Sequence, residues 1–261
     1  MRRAMPSLSI AIVTYNSKKT IGRTLASLFA NIPQDIPCHV TIIDNGSTDG
    51  TLASLEPYQN QLRLLHSQKG NIGFGAAHNL IMPELNSDIH IIMNPDINAI
   101  DRQSFTALVD YLLKHQEVGM VVPRIIDENG SIQYLCRRDP TLFDLFSRVM
   151  PEPFFRKRRS YHEMKDHDYT TSFRVPFASG CLMAIRSELF KRLGGFDERY
   201  FLYAEDADLS RQVNQVSTVM YVPDAVFCHV WQRSSYKSSR MAWIHIRSLM
   251  KYFSKWGWAI K

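Results

Sequence analysis

The chain has 261 residues, a 45% hydrophobic share and a formal net charge of +6, enough for one large α/β domain with a substantial core and without the fixed-period repetition of a solenoid. Its four cysteines, Cys38, Cys136, Cys181 and Cys228, are scattered and form no CxxC pair; this argues against a zinc module or a disulfide scaffold and suits a reducing cytoplasm. No stretch approaches the roughly 20 apolar residues needed to span a bilayer.

The N-terminal MRRAMPSLSIAIVTYN carries two arginines and then a short apolar run that breaks at Thr14-Tyr15-Asn16 without a small-residue cleavage pattern. It reads as a first strand, Leu8 to Val13, and not as a signal peptide. Ser17 is placed to cap a helix in which Ile21, Leu25, Leu28 and Phe29 share one face. Val40 to Ile43 reads as a second strand ending in Asp44-Asn45-Gly46-Ser47-Thr48-Asp49-Gly50. A short helix stops before Pro57, and Leu62 to Leu65 reads as a third strand. Gly70-Asn71-Ile72-Gly73-Phe74-Gly75 is a turn into another helix. Ile89 to Met93 is a fourth strand ending at Asn94-Pro95-Asp96, followed by a helix from Phe105 to Leu113 and a strand from Val118 to Val122. Alternating strands and helices predict a mainly parallel sheet covered on both faces, with ligands at the carboxyl ends of its strands. Asp44 and Asp96 fall at that edge.

The second half is less regular. Glu128-Asn129-Gly130 is a turn signal for a hairpin between residues 124–126 and 132–134. Residues 137–173 read as a long excursion over the active-site face. Gly180 to Ile185 is strand-like, Glu205 to Val213 has helical spacing, and Thr218 to Val222 and Ala225 to Phe227 read as two short strands. The tail from Arg240 to Trp258 reads as an amphipathic helix.

Each acidic or basic position has two readings. Asp44 can accept hydrogen bonds from a base or ribose, or form an Asx turn. Asp96, stiffened by Pro95, can bind a divalent cation that bridges phosphates, or close a turn. Glu205-Asp206 follows the aromatic run Tyr200, Phe201, Tyr203; a carboxylate there can serve as a general base, or only decorate a helix N-terminus. His229 can ligate a metal or be structural. Arg137 and Arg138 can meet a phosphate or form a solvated pair. In the tail, Trp243, Ile246, Met250, Phe253 and Trp256 recur at helical spacing, with Arg240, Arg247, Lys251 and Lys255 on or beside the other face. This suits either an interfacial helix on anionic lipid or a helix docked on the core. The basic charge has no nucleic-acid-binding motif to accompany it, so no nucleic-acid partner is expected.

The order of the motifs is specific. IAIVTYNS, VTIIDNGSTDGT, NIGFGAAHN, IIMNPDI, VVPRI followed by NGSIQ, RRDPT, ASGCLMAIRSELFKRLGGFDERYFLYAEDADLSRQV and YVPDAVFCHVWQRSS run from about residue 8 to residue 236. In this the chain resembles family 2 glycosyltransferases of the GT-A fold, in particular the bacterial rhamnosyltransferase-like branch. The resemblance implies an α/β GT-A domain over 1–236, with a nucleotide-binding half to about 123 and a catalytic half over 124–236, and a separate basic tail over 237–261. It implies an inverting, metal-dependent transfer of a sugar, L-rhamnose from dTDP-L-rhamnose, to a lipid-linked glycan such as an undecaprenyl-diphosphate-linked sugar, in cell-surface polysaccharide or O-antigen synthesis at the inner face of the cytoplasmic membrane. A UDP-sugar donor, galactofuranose or a hexose, is the alternative, and a non-catalytic nucleotide-binding module the distant one. The implied roles are nucleotide binding for Thr14, Tyr15, Asn16, Asp44, Asn71 and Asn79, binding of Mg²⁺ or Mn²⁺ for Asp96 and His229, and general base for Asp206. Arg137, Arg138, Glu205 and Arg233 are candidate diphosphate or acceptor contacts. The chain departs from a strict DxD motif in having Asn94-Pro95-Asp96, which leaves one carboxylate for the metal.

Overall fold

The computed structural model describes residues 6–144, 152–230 and 239–259. Its centre is a nine-stranded sheet. Strands β1 (Leu8–Thr14), β2 (Cys38–Asp44), β3 (Arg63–His66) and β4 (Ile89–Met93) run parallel in the order β3-β2-β1-β4. The register aligns Thr14 with Asp44, so β1 and β2 end together at one edge. All seven residues of β1 are buried, as expected of a central strand covered on both faces.

Beyond β4 the sheet departs from the parallel expectation. Strand β10 (Leu182–Arg186) inserts antiparallel between β4 and β6 (Val118–Ile126), and β11 (Thr218–His229) lies parallel to β6. Strands β5 (Ile97–Ala99) and β8 (Phe173–Arg174) pair antiparallel with β11. The two short strands expected at 218–227 are one strand with an irregularity between Val222 and Val226. A separate two-stranded ladder joins β7 (Cys136–Arg137) to β9 (Phe177–Ala178).

Alternating residues of each strand feed two cores. On one face Ile10, Ile12, Ile42 and Ile91 pack with Leu25 and Leu28 of α1 (Ile21–Asn31) and with Phe105 and Leu108 of α3 (Arg102–Lys114). On the other, Ile92, Met120, Met183 and Ile185 pack with Phe190 of α5 (Ser187–Leu193) and Leu209 and Val213 of α6 (Glu205–Val216). Helix α2 (Phe74–Asn79) covers Ala11, Val13 and Ile43 through Ala77. A third cluster joins Leu249, Tyr252 and Phe253 of α7 (Ser239–Trp256) to Phe177, Tyr200, Ala204 and Ala207. The C-terminal helix is therefore docked on the segment around residues 177–207.

Several local expectations are corrected. Ser17 does not cap α1 through its side chain; its carbonyl accepts from the amides of Thr20 and Ile21 in a turn, and the helix begins at Ile21. The short helix at 52–58 is a 3-10 turn that runs through Pro57; so short a turn has few internal hydrogen bonds, and the missing Pro57 amide removes only one of them. The hairpin at 124–134 is a tight Asp127 turn with one bridge, Ile126 to Ile132, and no second strand. The excursion at 137–173 contains a helix, α4 (Glu152–His162).

Candidate active site

The carboxyl edge gathers most of the singled-out residues. Asp44 is buried and accepts from the amides of Gly46 and Ser47 at 3.2–3.3 Å. Asn16, in a left-handed conformation, accepts from the Thr48 amide at 2.8 Å and donates its own amide to Ser47 Oγ at 3.0 Å. Thr14 Oγ1 is buried without a partner and Tyr15 is exposed. Asn71 accepts from Asn45 Nδ2 at 3.1 Å and from the Gly73 amide at 3.0 Å. Gly73 has φ +97°, and a side chain there would lie 2.4 Å from the Phe201 carbonyl; only glycine lets the 70–75 loop reach the segment that leads to Asp206.

The Asn94-Pro95-Asp96 turn is pinned from two elements. Thr24 of α1 donates to the Pro95 carbonyl at 3.0 Å, and the Asn94 amide donates to the Cys181 carbonyl at 2.8 Å. Asp96 then meets His229, the last residue of β11, with Oδ2 3.3 Å from Nε2. The other oxygen, Oδ1, is buried and unpartnered. Gln133 fixes the imidazole. Its Nε2 donates to the His229 carbonyl at 3.1 Å, which turns its Oε1 toward His229 Nδ1 at 3.0 Å. Nδ1 is therefore the nitrogen that meets Gln133, and Nε2 is the one turned to Asp96. An imidazole nitrogen beside a carboxylate with an orphaned buried oxygen is a donor set that fits a divalent cation held by Asp96 and His229. No group of three metal-ligating side chains occurs among the described residues, so phosphate oxygens would have to complete such a shell.

Asp206 sits across Cys181 from this pair. The insertion of β10 sets Leu182 opposite Met93, which brings Gly180 and Cys181 to the same edge. The Gly180 amide donates to Asp206 Oδ2 at 3.0 Å and the Ala207 amide to Oδ1 at 2.9 Å. A side chain on Gly180 would press within 3.3 Å of the Asp206 Cβ. Burial raises the Asp206 carboxyl above the usual range, while the two amides and the Arg137 guanidinium pull against it. Glu205 is 4% exposed, its Oε2 has no partner, and burial followed by the Asp206 charge holds its carboxyl well above the usual range. Burial pushes the Cys181 thiol up to about 12, with both Asp96 and Asp206 adding to the rise. Two adjacent acids thus differ in access. Asp206 is half-buried, while Glu205 is sealed beneath it.

Other candidates are placed elsewhere. Arg137 lies over the Phe177 ring, with a buried, unpartnered Nε, close enough for its charge to act on Asp206. Arg138 is committed to a two-pronged pair with Asp166 at 2.7–2.9 Å and stacks on Tyr161; it belongs to the packing of the excursion. Asn79 clamps the backbone of Phe196, accepting from its amide at 2.9 Å and donating to its carbonyl at 2.8 Å, and so holds a loop. Arg233 lies outside the described residues. The sequence pattern does not mark Gln133, Asn45 or the Gly180 amide. Only the NGSIQ segment carries a trace of the first.

A doubly covered sheet with one acid and one histidine at a strand-end turn, and a second acid beside the same cysteine, is an arrangement that suits a sugar-transferring enzyme of the GT-A class. The family model for Glycosyl transferase family 2 matches residues 9–194, and the chain belongs to that family. It is 32% identical over 236 residues to the N-acetylglucosaminyl-diphospho-decaprenol L-rhamnosyltransferase of Mycobacterium tuberculosis, covering 85% of this chain and 75% of the relative. It is 24% identical over 257 residues to rhamnosyltransferase WbbL of Escherichia coli, covering 94% and 92%. Among solved structures, GalNAc-T7 with UDP, GalNAc and Mn²⁺ superposes with a TM-score of 0.72 at 18% identity, over 97% of this chain and 48% of that one. The mannosyltransferase PcManGT from Pyrobaculum calidifontis with GDP-Man and Mn²⁺ gives 0.63 at 21% identity, over 96% and 64%. These structural likenesses share the fold.

Proposed function

We propose that the chain transfers L-rhamnose from dTDP-L-rhamnose, with inversion, to a polyprenyl-diphosphate-linked glycan in cell-surface polysaccharide synthesis. The observation that carries the chemistry is the placement of Asp206 across Cys181 from the Asp96–His229 pair. The likeness to two rhamnosyltransferases, one acting on a decaprenol-linked sugar by its name, supports the donor and acceptor.

In this reading Thr14, Tyr15, Asn16, Asp44 and Asn71 border the nucleotide, and Asp96 with His229 would hold Mg²⁺ or Mn²⁺. A divalent cation so held neutralises charge on the departing diphosphate. Asp206 accepts the proton of the acceptor hydroxyl as that oxygen attacks the anomeric carbon from the face opposite the diphosphate; a single displacement inverts the configuration. Glu205 is sealed, and burial, followed by the Asp206 charge, favours its neutral form beside Asp206. Arg137 offers a guanidinium beside the base, where it favours the carboxylate form.

Membrane contact is part of the proposal. Among the described residues no helix is long and apolar enough to cross a bilayer. Docking covers Phe253 and partly covers Trp256, and leaves Trp243 (64% exposed), Ile246 and Met250 outward on α7, beside exposed Arg240 and Arg247. Phe154, 82% exposed, stands on the basic helix α4. Such apolar and cationic mixtures suit the anionic inner face of the cytoplasmic membrane.

A UDP-sugar donor is the second reading, favoured by 26% identity over 213 residues to the Staphylococcus aureus poly(ribitol-phosphate) β-N-acetylglucosaminyltransferase TarS. Calorimetric titration with dTDP-L-rhamnose, UDP-N-acetylglucosamine, UDP-galactofuranose and GDP-mannose, each with Mn²⁺ and with EDTA, separates the two. The tightest binding is expected for dTDP-L-rhamnose and only with the metal. Tighter binding of a UDP-sugar would replace the donor, and equal binding in EDTA would remove the metal role.

A further inference from the structure

Asp208 is the third acid of the Glu205–Asp208 run and is completely buried. Four donors converge on it. Tyr200 OH lies at 3.3 Å and Gln212 Nε2 at 2.7 Å, and the last turn of α7 adds Lys255 Nζ at 2.8 Å and Trp256 Nε1 at 2.6 Å. Earlier turns of the same helix grip the segment that precedes α6. Ser248 Oγ donates to the Leu202 carbonyl at 2.8 Å, Lys251 Nζ donates to the Arg199 carbonyl, and Lys255 Nζ also reaches Asp197 at 3.0 Å.

That segment ends in an unusual turn. Tyr203 and Ala204 have φ of 69° and 68°, a left-handed conformation that residues with side chains rarely take and that persists only where the surroundings enforce it. Glu205 and Asp206 follow at once. Helix α7 supplies much of that enforcement, holding the turn from its carbonyl side and α6 from Asp208. The apolar contacts of Leu249, Tyr252 and Phe253 would dock α7 without a buried carboxylate, at lower desolvation cost. A carboxylate met by four directional donors adds a fixed rotation and register.

We propose that Asp208, Lys255 and Trp256 are positioning residues for the catalytic base. Through them α7 sets the turn at 203–204 and the rotation of α6, and so holds Asp206 against the Gly180 amide at the transfer site. This rests on the reading of Asp206 as the base. A reacting group moved by about 1 Å costs on the order of 10²-fold in rate, so loss of the anchor is expected in kcat and not in donor affinity.

The test compares Trp256→Phe, which removes one hydrogen bond and keeps a ring, with Lys255→Met and Lys255→Arg in the full chain. The assay uses dTDP-L-rhamnose, Mn²⁺ and a short-chain polyprenyl-diphospho-N-acetylglucosamine acceptor. Trp256→Phe and Lys255→Met should each lower kcat about 10-fold or more and leave donor affinity by calorimetry unaltered; Lys255→Arg should retain most of kcat. In an Asp206→Asn background, Trp256→Phe should cost no more of the residual rate, since both act at one place. Amide hydrogen exchange gives a readout independent of turnover: Trp256→Phe should speed exchange over 197–206 and not over 40–48. Unchanged kcat in both Trp256→Phe and Lys255→Met, unchanged exchange over 197–206, or kcat and donor affinity falling together would overturn the proposal. Near-normal turnover of Asp206→Asn alone would instead overturn the base assignment and leave the exchange result to stand.

Discussion

His229 Nε2 faces Asp96 Oδ2 at 3.3 Å, and Gln133 holds the imidazole by its far nitrogen, Nδ1, at 3.0 Å. The pair is assembled from opposite ends of the chain because β5, which follows Asp96, lies antiparallel to the end of β11, with Ile97 opposite His229. In the proposed metal site Gln133 would be an outer partner of His229, and such partners typically contribute about 10–100-fold in metal affinity or activity. Gln133→Leu should weaken activation by Mn²⁺ within that range, with recovery at high Mn²⁺. A Mn²⁺ activation curve that does not move would show that the imidazole needs no such support.

The pH dependence of transfer follows from Asp206. As the proposed base Asp206 must be ionised, and burial raises its carboxyl while the Gly180 and Ala207 amides and Arg137 lower it. Glu205 and Asp206 titrate as a pair. Activity should therefore fall as pH drops through an apparent value above the ordinary aspartate range of about 3.9. Arg137→Met removes an influence that favours the charged form, so the acidic limb of the kcat/KM profile should shift to higher pH; Arg137→Lys should leave it nearly in place. A limb that stays fixed in Arg137→Met would separate Arg137 from the base, and a rise in donor KM alone would make it a phosphate contact.

Glu205 makes a second, independent pH prediction, in stability. Its carboxyl is raised in the folded chain, by burial first and by Asp206 second. A raised acid contributes most below its unfolded value of about 4.3 and loses that contribution as pH rises through the folded value. Glu205→Gln should therefore gain Tm relative to the parent as pH goes from about 5 to about 8. The buried, neutral His78 and His90, whose ring nitrogens burial holds below the usual range, act in the opposite sense and cancel in the difference. A Tm difference that is flat across this range would mean that Glu205 is ionised in the fold.

The sheet half with β1, β2 and β4 is legible in the sequence because each is a short run dominated by β-branched and apolar residues and followed by turn residues. Asp44, Asp96, Asp206 and His229 are legible because strand ends or an acidic helix start mark them. The antiparallel insertion of β10 is not, since Leu182 to Arg186 carries no sign of its partners; yet that insertion is what sets Gly180 beside Asp206. Gln133 follows a turn with no periodic signal. The partners of Arg138 and Asn79 are not legible for a related reason: pattern gives the residue type, while Asp166 and the Phe196 backbone, distant in sequence, claim their side chains. In α7 the apolar stripe is visible, but helical spacing does not say which edge of a wide stripe is covered. The covered edge is Leu249, Tyr252 and Phe253.

The uncovered edge makes the membrane proposal testable without disturbing the fold. Trp243 and Ile246 are exposed and outside the docked cluster. Replacing both with serine should leave Tm and donor binding unchanged and reduce sedimentation with phosphatidylglycerol vesicles by roughly 10-fold or more, given about 1.5–3 kcal/mol for each large apolar side chain buried. Unaltered sedimentation would show that α7 only docks.

The role of Asp206 is tested most directly by single-turnover transfer from dTDP-L-rhamnose by Asp206→Asn, alongside Glu205→Gln and Asp208→Asn, with donor affinity measured on the same samples. The asparagine keeps the shape, and its one amide oxygen can retain one of the two backbone contacts, while the proton-accepting group is removed. The expected result is a loss of about 10²–10⁴-fold in rate for Asp206→Asn with donor affinity nearly intact, and a smaller loss for Glu205→Gln. Near-normal transfer by Asp206→Asn, or a loss of donor binding that accounts for its slower rate, would contradict the assignment of Asp206 as the base.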